Sequence, residues 1–335
     1  MTLGEYLDQW LGSVRGAIRS KTIFQYRQIV RQHISPNLGM IKLKDLRPDQ
    51  IQKLYNMKLD NGSSPRSVLL IHAVLHRSLD QALMMGIIGR NPADAVVRPR
   101  FKRKEMKTLN DNQVRVLLSA VIGDRCEVLY WLAVSTGMRQ GELLGLKWAD
   151  IDWRNKRIHV QRQVQRLPNE GLAFTEPKSA AGKRVIVLST SLIEKLRQHM
   201  DFQDQERRVA GARWQEFDLI FPSVIGTPLD HRNLYRDFKV FLKLTGLPDI
   251  RFHDLRHTAA TLMLQQGIHP KVVQERLGHS DISLTLNTYS HVLPSMQEEA
   301  AEKMDELLKP IDVSEEIKKL GELSTKYITK TQTHE

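Results

Sequence analysis

The stretch "SPRSVLLIHAVLHRSLDQALMMG", residues 64–86, constrains the fold more than any other part of the chain. Its apolar residues recur at three-to-four spacing, which suits one face of a helix and cannot be laid along one face of a strand. Both ends are marked. Ser64 followed by Pro65 is an N-cap with proline in the first turn, and Gly86 is free to take the left-handed conformation that closes a helix. Three earlier stretches, "LGEYLDQWL", "SKTIFQYRQIVRQHI" and "RPDQIQKLYNMKL", repeat the same spacing. Residues 1–97 are therefore expected to form a small helical bundle.

The periodicity then stops. "NPADAVVRPRFKRKEMKTLND" carries prolines and a run of cations, Arg98, Arg100, Lys102, Arg103, Lys104 and Lys107. It reads as a linker over 98–107, and a basic linker between two domains suits a phosphate backbone. Beyond it helices dominate again, with short strands expected in "KRIHVQRQVQRL", "LAFTEPK" and "KRVIVLS". The fold class is mainly α with small β elements, α+β. A second, mixed domain is expected over 108–293, followed by a tail over 294–335.

Charge points to a partner. Of 50 Lys+Arg and 38 Asp+Glu, 19 basic and 8 acidic side chains fall in residues 1–107, a local balance of +11 within a total of +12. So basic an N-terminal third favours a polyanion over a merely soluble surface. The single cysteine, Cys126, excludes an internal disulfide and a cysteine-rich zinc site and suits a buried thiol. The start "MTLGEYLDQW" has no apolar signal core, and the longest apolar run, "VLYWLAV", falls far short of the roughly 20 residues that cross a bilayer. No membrane is implied, and the expected location is cytoplasmic. No G-x-x-x-x-G-K-[ST] loop is present, so nothing suggests nucleotide hydrolysis.

The chemistry is carried by "HDLRHTAATLMLQQGI", residues 253–268, where His253, Arg256 and His257 share the first turn of an amphipathic helix. Such a cluster suits either a phosphate or a metal, the HxxxH spacing being that of zinc proteases. Zinc is disfavoured because Asp254 is a methylene shorter than the usual Glu and Arg256 would repel a cation. In "STGMRQGELLGLKW", Arg139 follows a turn at Gly137, and Glu142 one helical turn on is placed to hold its guanidinium. "TEPKSAAGKRVIVL" reads as a β-hairpin with Lys178 where strand meets turn and Lys183 as the competing candidate. "ERLGHSDISLTLNTYSHV" ends a helix at Gly278, exposes His279 and brings Tyr289 ten residues later.

The order Arg139, Lys178, H-x-x-R at 253–256, L-G-H at 277–279 and Tyr289 resembles the tyrosine recombinases of the phage-integrase type, and the resemblance spans essentially the whole chain. It implies a SAM-like core-binding domain before a tyrosine-recombinase catalytic domain, and a site-specific recombinase that integrates or excises a phage or other mobile element. By resemblance Arg139 and Arg256 stabilise the phosphate, His253 is the base, Lys178 the general acid, His279 a hydrogen-bond donor to the phosphate and Tyr289 the nucleophile. Glu142 and His257 support them. Two planar guanidiniums suit a phosphodiester that gains charge on attack. A covalent 3′-phosphotyrosine would conserve the bond energy, so no cofactor, metal or ATP is expected. The implied partners are double-stranded recombination sites and further copies in a tetramer, with an excisionase or host DNA-bending protein as accessories. The chain starts almost at the core-binding domain, which leaves no room for a separate arm-binding domain. Alternatives within the same chemistry are a chromosome-dimer resolvase or a transposon recombinase; outside it, a non-catalytic DNA-binding regulator or a zinc-dependent hydrolase, both of which leave Tyr289 and Lys178 unexplained.

In the tail, "PSMQEEAAEKMDELLK" sets Met296, Ala300, Met304 and Leu307 or Leu308 on one stripe opposite Glu298, Glu299, Glu302, Asp305 and Glu306. With 6 basic and 10 acidic side chains, residues 294–335 should avoid DNA and seek protein, either the chain's own domain or a neighbouring subunit.

Overall fold

The structure is a computed structural model that describes residues 1–101, 106–167, 170–177, 180–289 and 294–309; the side chains of residues 284, 287–289, 294–297 and 299 stand outside that description.

The first part is helical, as its periodicity requires. α1 (Leu3–Ser13) opens on a reciprocal cap between Thr2 and Glu5. α2 (Ser20–Ile29) runs through a wider turn at Val30–Ile34 into α3 (Ser35–Leu38), and α4 (Pro48–Asp60) and α5 (Pro65–Met84) follow. The ends of α5 are those marked in the sequence: the Ser64 hydroxyl accepts from the Ser67 N–H, and Gly86 takes φ +70°. Leu3, Leu7, Ile34, Ile51, Tyr55, Leu75 and Leu79 are buried together in the core these helices share. Tyr6 ties α1 to α5 through its hydroxyl, which donates to the Ser78 carbonyl at 2.6 Å.

The second core lies between α6 (Asp111–Ala120), α7 (Glu127–Thr136), α8 (Gln140–Leu144), α9 (Thr190–Ala210), α10 (His231–Leu244), α11 (Asp254–Gln265) and two small sheets. Strands β1 (Ile151–Asp152), β2 (Arg157–Val160) and β5 (Arg184–Val187) form one antiparallel sheet in the order β1-β2-β5; β3 (Gln163–Leu167) and β4 (Gly171–Thr175) form the other. This corrects the expected hairpin over "TEPKSAAGKRVIVL". β4 turns back on β3, with Val164 opposite Phe174, while β5 pairs with β2, with Ile158 opposite Ile186. The stretch "KRIHVQRQVQRL" forms two of the expected short strands, β2 and β3, in different sheets. The register explains the division: Ile158 and Ile186 are both core residues on one face of the larger sheet, whereas β3 and β4 are only partly covered.

Tyr130 packs against Phe238, Phe241 and Phe252 with ring centroids 5.9–6.1 Å away. The cluster fixes Phe252, and so the start of α11 two residues later. Cys126 is buried as expected, and burial pushes its thiol up to about 12. α12 (Pro270–Leu277) packs on α11 through Ala260, Leu264, Val273 and Leu277, and α13 (Ile282–Tyr289) and α14 (Pro294–Leu307) complete the described chain. Along α14 and at the residue after it, Ala300 is exposed and Met304, Leu307 and Leu308 are 52%, 76% and 68% exposed, so these members of the tail stripe are not packed on their own domain. Among the described residues no helix is long and apolar enough to cross a membrane.

Candidate active site

Four helix termini build the site, the last of them the start of α8. α7 ends at Gly137, whose φ of +64° lets the chain reverse toward Arg139. A Cβ at Gly137 would come within 2.4 Å of a Leu277 methyl, so glycine also lets α12 approach. α12 ends at Gly278 with φ +69°, which turns the chain into His279. α11 begins at Asp254 with His253 as its cap residue.

Arg139 caps α8 and is held as expected: its Nη1 donates to Glu142 Oε1 at 2.7 Å and its backbone N–H to Oε2 at 3.0 Å, leaving the side chain 36% exposed. Glu142 itself is 1% exposed. Burial alone would raise its carboxyl, but the Arg184 and Arg139 guanidiniums more than offset this and hold it below the usual carboxylate range. Arg256 is 3% exposed, and its Nη1 donates to the Gly137 carbonyl at 2.8 Å. This bond joins the turn before Arg139 to the first turn of α11.

The three histidines lie in the field of these cations. His253 and His257 meet edge to face, 5.3 Å between ring centroids. Neighbouring protein atoms and the Arg256 charge lower His253, although the residue is exposed to solvent. Burial and the neighbouring imidazole push His257 down to about 4. His279 falls to about 3 through burial and the Arg256 and Arg139 charges. All three are thus set toward the neutral form at pH 7. His279 corrects its expected exposure: it is half-buried, and its Nδ1 bonds to the Thr285 hydroxyl at 2.8 Å. Asp254 is turned away into an ion pair in which Arg251 reaches both its oxygens, at 2.7 and 3.1 Å.

The structure therefore gathers Arg139, Glu142, His253, Arg256, His257 and His279 at one place. Tyr289 is the last residue of α13, and its side chain stands outside the description. Lys178 lies outside the described residues; its competitor Lys183 is paired with Glu176 at 2.7 Å. Arg98 and Arg100 are exposed on a segment without regular structure, and Lys102, Arg103 and Lys104 are again outside the described residues. Sequence reasoning missed Arg184 and Thr285. The signal for Arg184 was available: it stands in register with Ile186 and Leu188, where an inward cation needs a buried anion. Thr285 carried no signal, since a threonine in a helix is ordinary.

Comparison with known proteins agrees with this geometry. Residues 100–296 match the phage integrase family, and residues 2–59 match the phage integrase N-terminal SAM-like domain. The chain belongs to the phage integrase family. It is 32% identical over 326 residues to a XerC-like tyrosine recombinase of Caldanaerobacter subterraneus subsp. tengcongensis, covering 92% of this chain and 83% of that one. It is 30% identical to the ICEBs1 integrase of Bacillus subtilis, over 84% of this chain and 77% of the relative. Among solved structures, the Tn1549 transposon integrase bound to transposon right end DNA shares the fold with a TM-score of 0.77 at 23% identity, over 91% of this chain and all of that one. A lambda integrase tetramer bound to a Holliday junction shares it with a TM-score of 0.60 at 22% identity, over 84% of this chain and 78% of that one. This phage-integrase relative is thus a tyrosine recombinase, an enzyme that cuts and rejoins DNA.

Proposed function

We propose that the chain is a site-specific recombinase that integrates or excises a mobile element, cutting duplex DNA through Tyr289. The observation that carries this is the joining of Arg139 and Arg256 through Gly137, with His253 and His279 held toward the neutral form beside them. Two fixed guanidiniums provide forked donors for the non-bridging oxygens of a phosphodiester and meet the charge that attack adds to them. Neutral His253 accepts the Tyr289 proton as the tyrosine oxygen bonds to phosphorus. The bond to the 5′ oxygen breaks, and that oxygen takes its proton from Lys178. The product is a 3′-phosphotyrosine and a free 5′ hydroxyl, and rejoining runs the same steps backward. A Thr285 hydroxyl donating to Nδ1 of His279 leaves the ring proton on Nε2, where it serves the phosphate. Tyr289 stands four residues after Thr285, on the same face of α13 by helical spacing. His257 packs behind His253 as support.

In this reading residues 1–97 and 108–293 form the two halves of a clamp on recombination-site DNA, and the 98–107 linker follows the phosphate backbone through Arg98, Arg100, Lys102, Arg103 and Lys104. The exposed stripe of the tail from 294 onward docks in the next subunit of a tetramer, the assembly in which lambda integrase is seen on its junction. Transposon relatives, such as transposase A of Tn554 from Staphylococcus aureus, 29% identical over 59% of this chain, support the mobile-element assignment.

The test is a denaturing gel of the protein with a nicked duplex carrying the junction sequence that flanks its gene. A covalent adduct forms in EDTA, and peptide mapping places the phosphate on Tyr289. Activity lost on chelation and restored by zinc reverses the proposal in favour of a metal hydrolase.

The lysine is tested separately. Lys178→Ala is slow on ordinary DNA, whereas a substrate with sulfur at the bridging 5′ position, which leaves without a proton, restores cleavage to within about tenfold of the wild type. Arg139→Ala is not restored. Rescue of Lys183→Ala in place of Lys178→Ala moves the acid to Lys183.

A further inference from the structure

Arg184 opens β5, and its side chain is only 7% exposed. Every arm of its fork is used. Nε donates to the Arg276 carbonyl at 2.7 Å, Nη1 to the Gly182 carbonyl at 3.1 Å and Nη2 to Glu142 Oε2 at 3.0 Å. The three acceptors lie on three separate segments. Glu142 is the anchor of Arg139; Gly182 closes the short turn Ala180–Gly182 that follows Lys178; Arg276 lies in the last turn of α12, just before Gly278 and His279.

The approach is close enough to require glycine. A Cβ at Gly278 would come within 2.7 Å of the Ala181 carbonyl and 3.0 Å of Arg184 Cδ and Nη1. The Arg276 side chain returns the contact from the other side, reaching the Ser135 carbonyl on α7 at 3.1 Å and the Val187 carbonyl on β5 at 3.2 Å. The end of α12 is thereby tied to the strand that carries Arg184 and to the helix that ends at Gly137.

We infer that Arg184 is a positioning residue that locks the anchor of Arg139, the turn Ala180–Gly182 and the end of α12 before His279 into one unit, without itself reaching the DNA; the inference rests on the recombinase reading above. The chemistry of the site explains the choice of residue. Three acceptors in a fan, one of them a carboxylate, match a planar guanidinium, whereas a lysine ammonium is a point charge on a flexible stem. The position is buried, so the bonds are not exchanged with water. A fixed relation between two phosphate-facing groups, Arg139 and His279, is what a preorganised site needs.

The experiment is single-turnover cleavage of the nicked junction duplex by wild type, Arg184→Met, Arg184→Lys, Glu142→Gln and the double variant Arg184→Met with Glu142→Gln. DNA affinity is read by fluorescence anisotropy and the folded fraction by circular dichroism at the assay temperature. Both Arg184 variants are expected to cut about 100-fold or more slowly per folded molecule, with Kd within about threefold of wild type. The double variant loses less than the product of the two single losses, because Arg184 acts partly through Glu142. If Arg184→Met does not fold, Arg184→Lys, which keeps the buried charge and loses the fan, carries the same test. Wild-type rates per folded molecule in the Arg184 variants overturn the inference and leave the recombinase reading intact, as does full multiplication of the two losses. A wild-type protein that forms no adduct overturns the recombinase reading itself, and the positioning role falls with it.

Discussion

On the proposed mechanism Tyr289→Phe is expected to form no covalent adduct with junction DNA, a loss of at least about 10⁴-fold in cleavage, while its affinity for the same DNA stays within about twofold of wild type. The substitution removes one oxygen and keeps the ring. Nothing else at the site changes: Arg139 stays on Glu142, Arg256 on the Gly137 carbonyl and His279 on Thr285. The phosphate is therefore still bound and polarised, and what is missing is the nucleophile. A water in its place would give a nicked strand without attached protein, which a denaturing gel distinguishes from an adduct. A gel-stable complex from Tyr289→Phe moves the nucleophile to another residue and removes the basis of the 3′-phosphotyrosine mechanism.

Much of this was readable in the sequence because it depends on short-range spacing. The ends of α5 follow from Ser64, Pro65 and Gly86, whose preferences are local. The pairing of Arg139 with Glu142 follows from one helical turn, and the meeting of His253 with His257 from a spacing of four residues across the start of α11. The glycines were legible in the same way, since Gly137 and Gly278 close helices in the left-handed region.

What spacing does not carry is which strand pairs with which. β4 and β5 are consecutive in sequence, and a turn of small residues between them reads as a hairpin. Instead β5 crosses to β2, setting Ile186 opposite Ile158 in the large core, while β3 and β4 pair with each other. That crossing is also what hid the partners of Arg184, although its inward register was readable. Its three acceptors, at 142, 182 and 276, meet only after the sheet is assembled. The environment of His279 was misjudged for a related reason: its partner Thr285 lies across the turn on the next helix, and a hydroxyl in a helix announces no partner.

Glu142→Ala is expected to cost about 3–5 kcal/mol of stability, the range for removing one partner of a buried ion pair. For a domain of this size that corresponds to a fall of about 10 °C in Tm. The carboxylate is 1% exposed and serves the Arg139 backbone N–H, the Arg139 guanidinium and the Arg184 guanidinium. Without it Arg184 remains buried, with a charge and two carbonyl partners but no anion. Arg139, more exposed, is free to swing into solvent, and cleavage per folded molecule falls by about 10²–10³-fold, as for loss of a transition-state donor. The pH dependence separates this ion pair from simple packing. Because the folded carboxyl is held below its ordinary 4.5, its stabilisation is fully present above pH 4.5 and is lost as pH falls through the lower folded value. The Tm gap between wild type and Glu142→Gln, which keeps the volume and cannot ionise, is therefore constant from pH 7.5 down to about 4.5 and narrows below it. Thermal unfolding of the two proteins across that range makes the comparison. A gap near zero at every pH would show that Glu142 acts by shape, and would leave Arg139 without its electrostatic anchor.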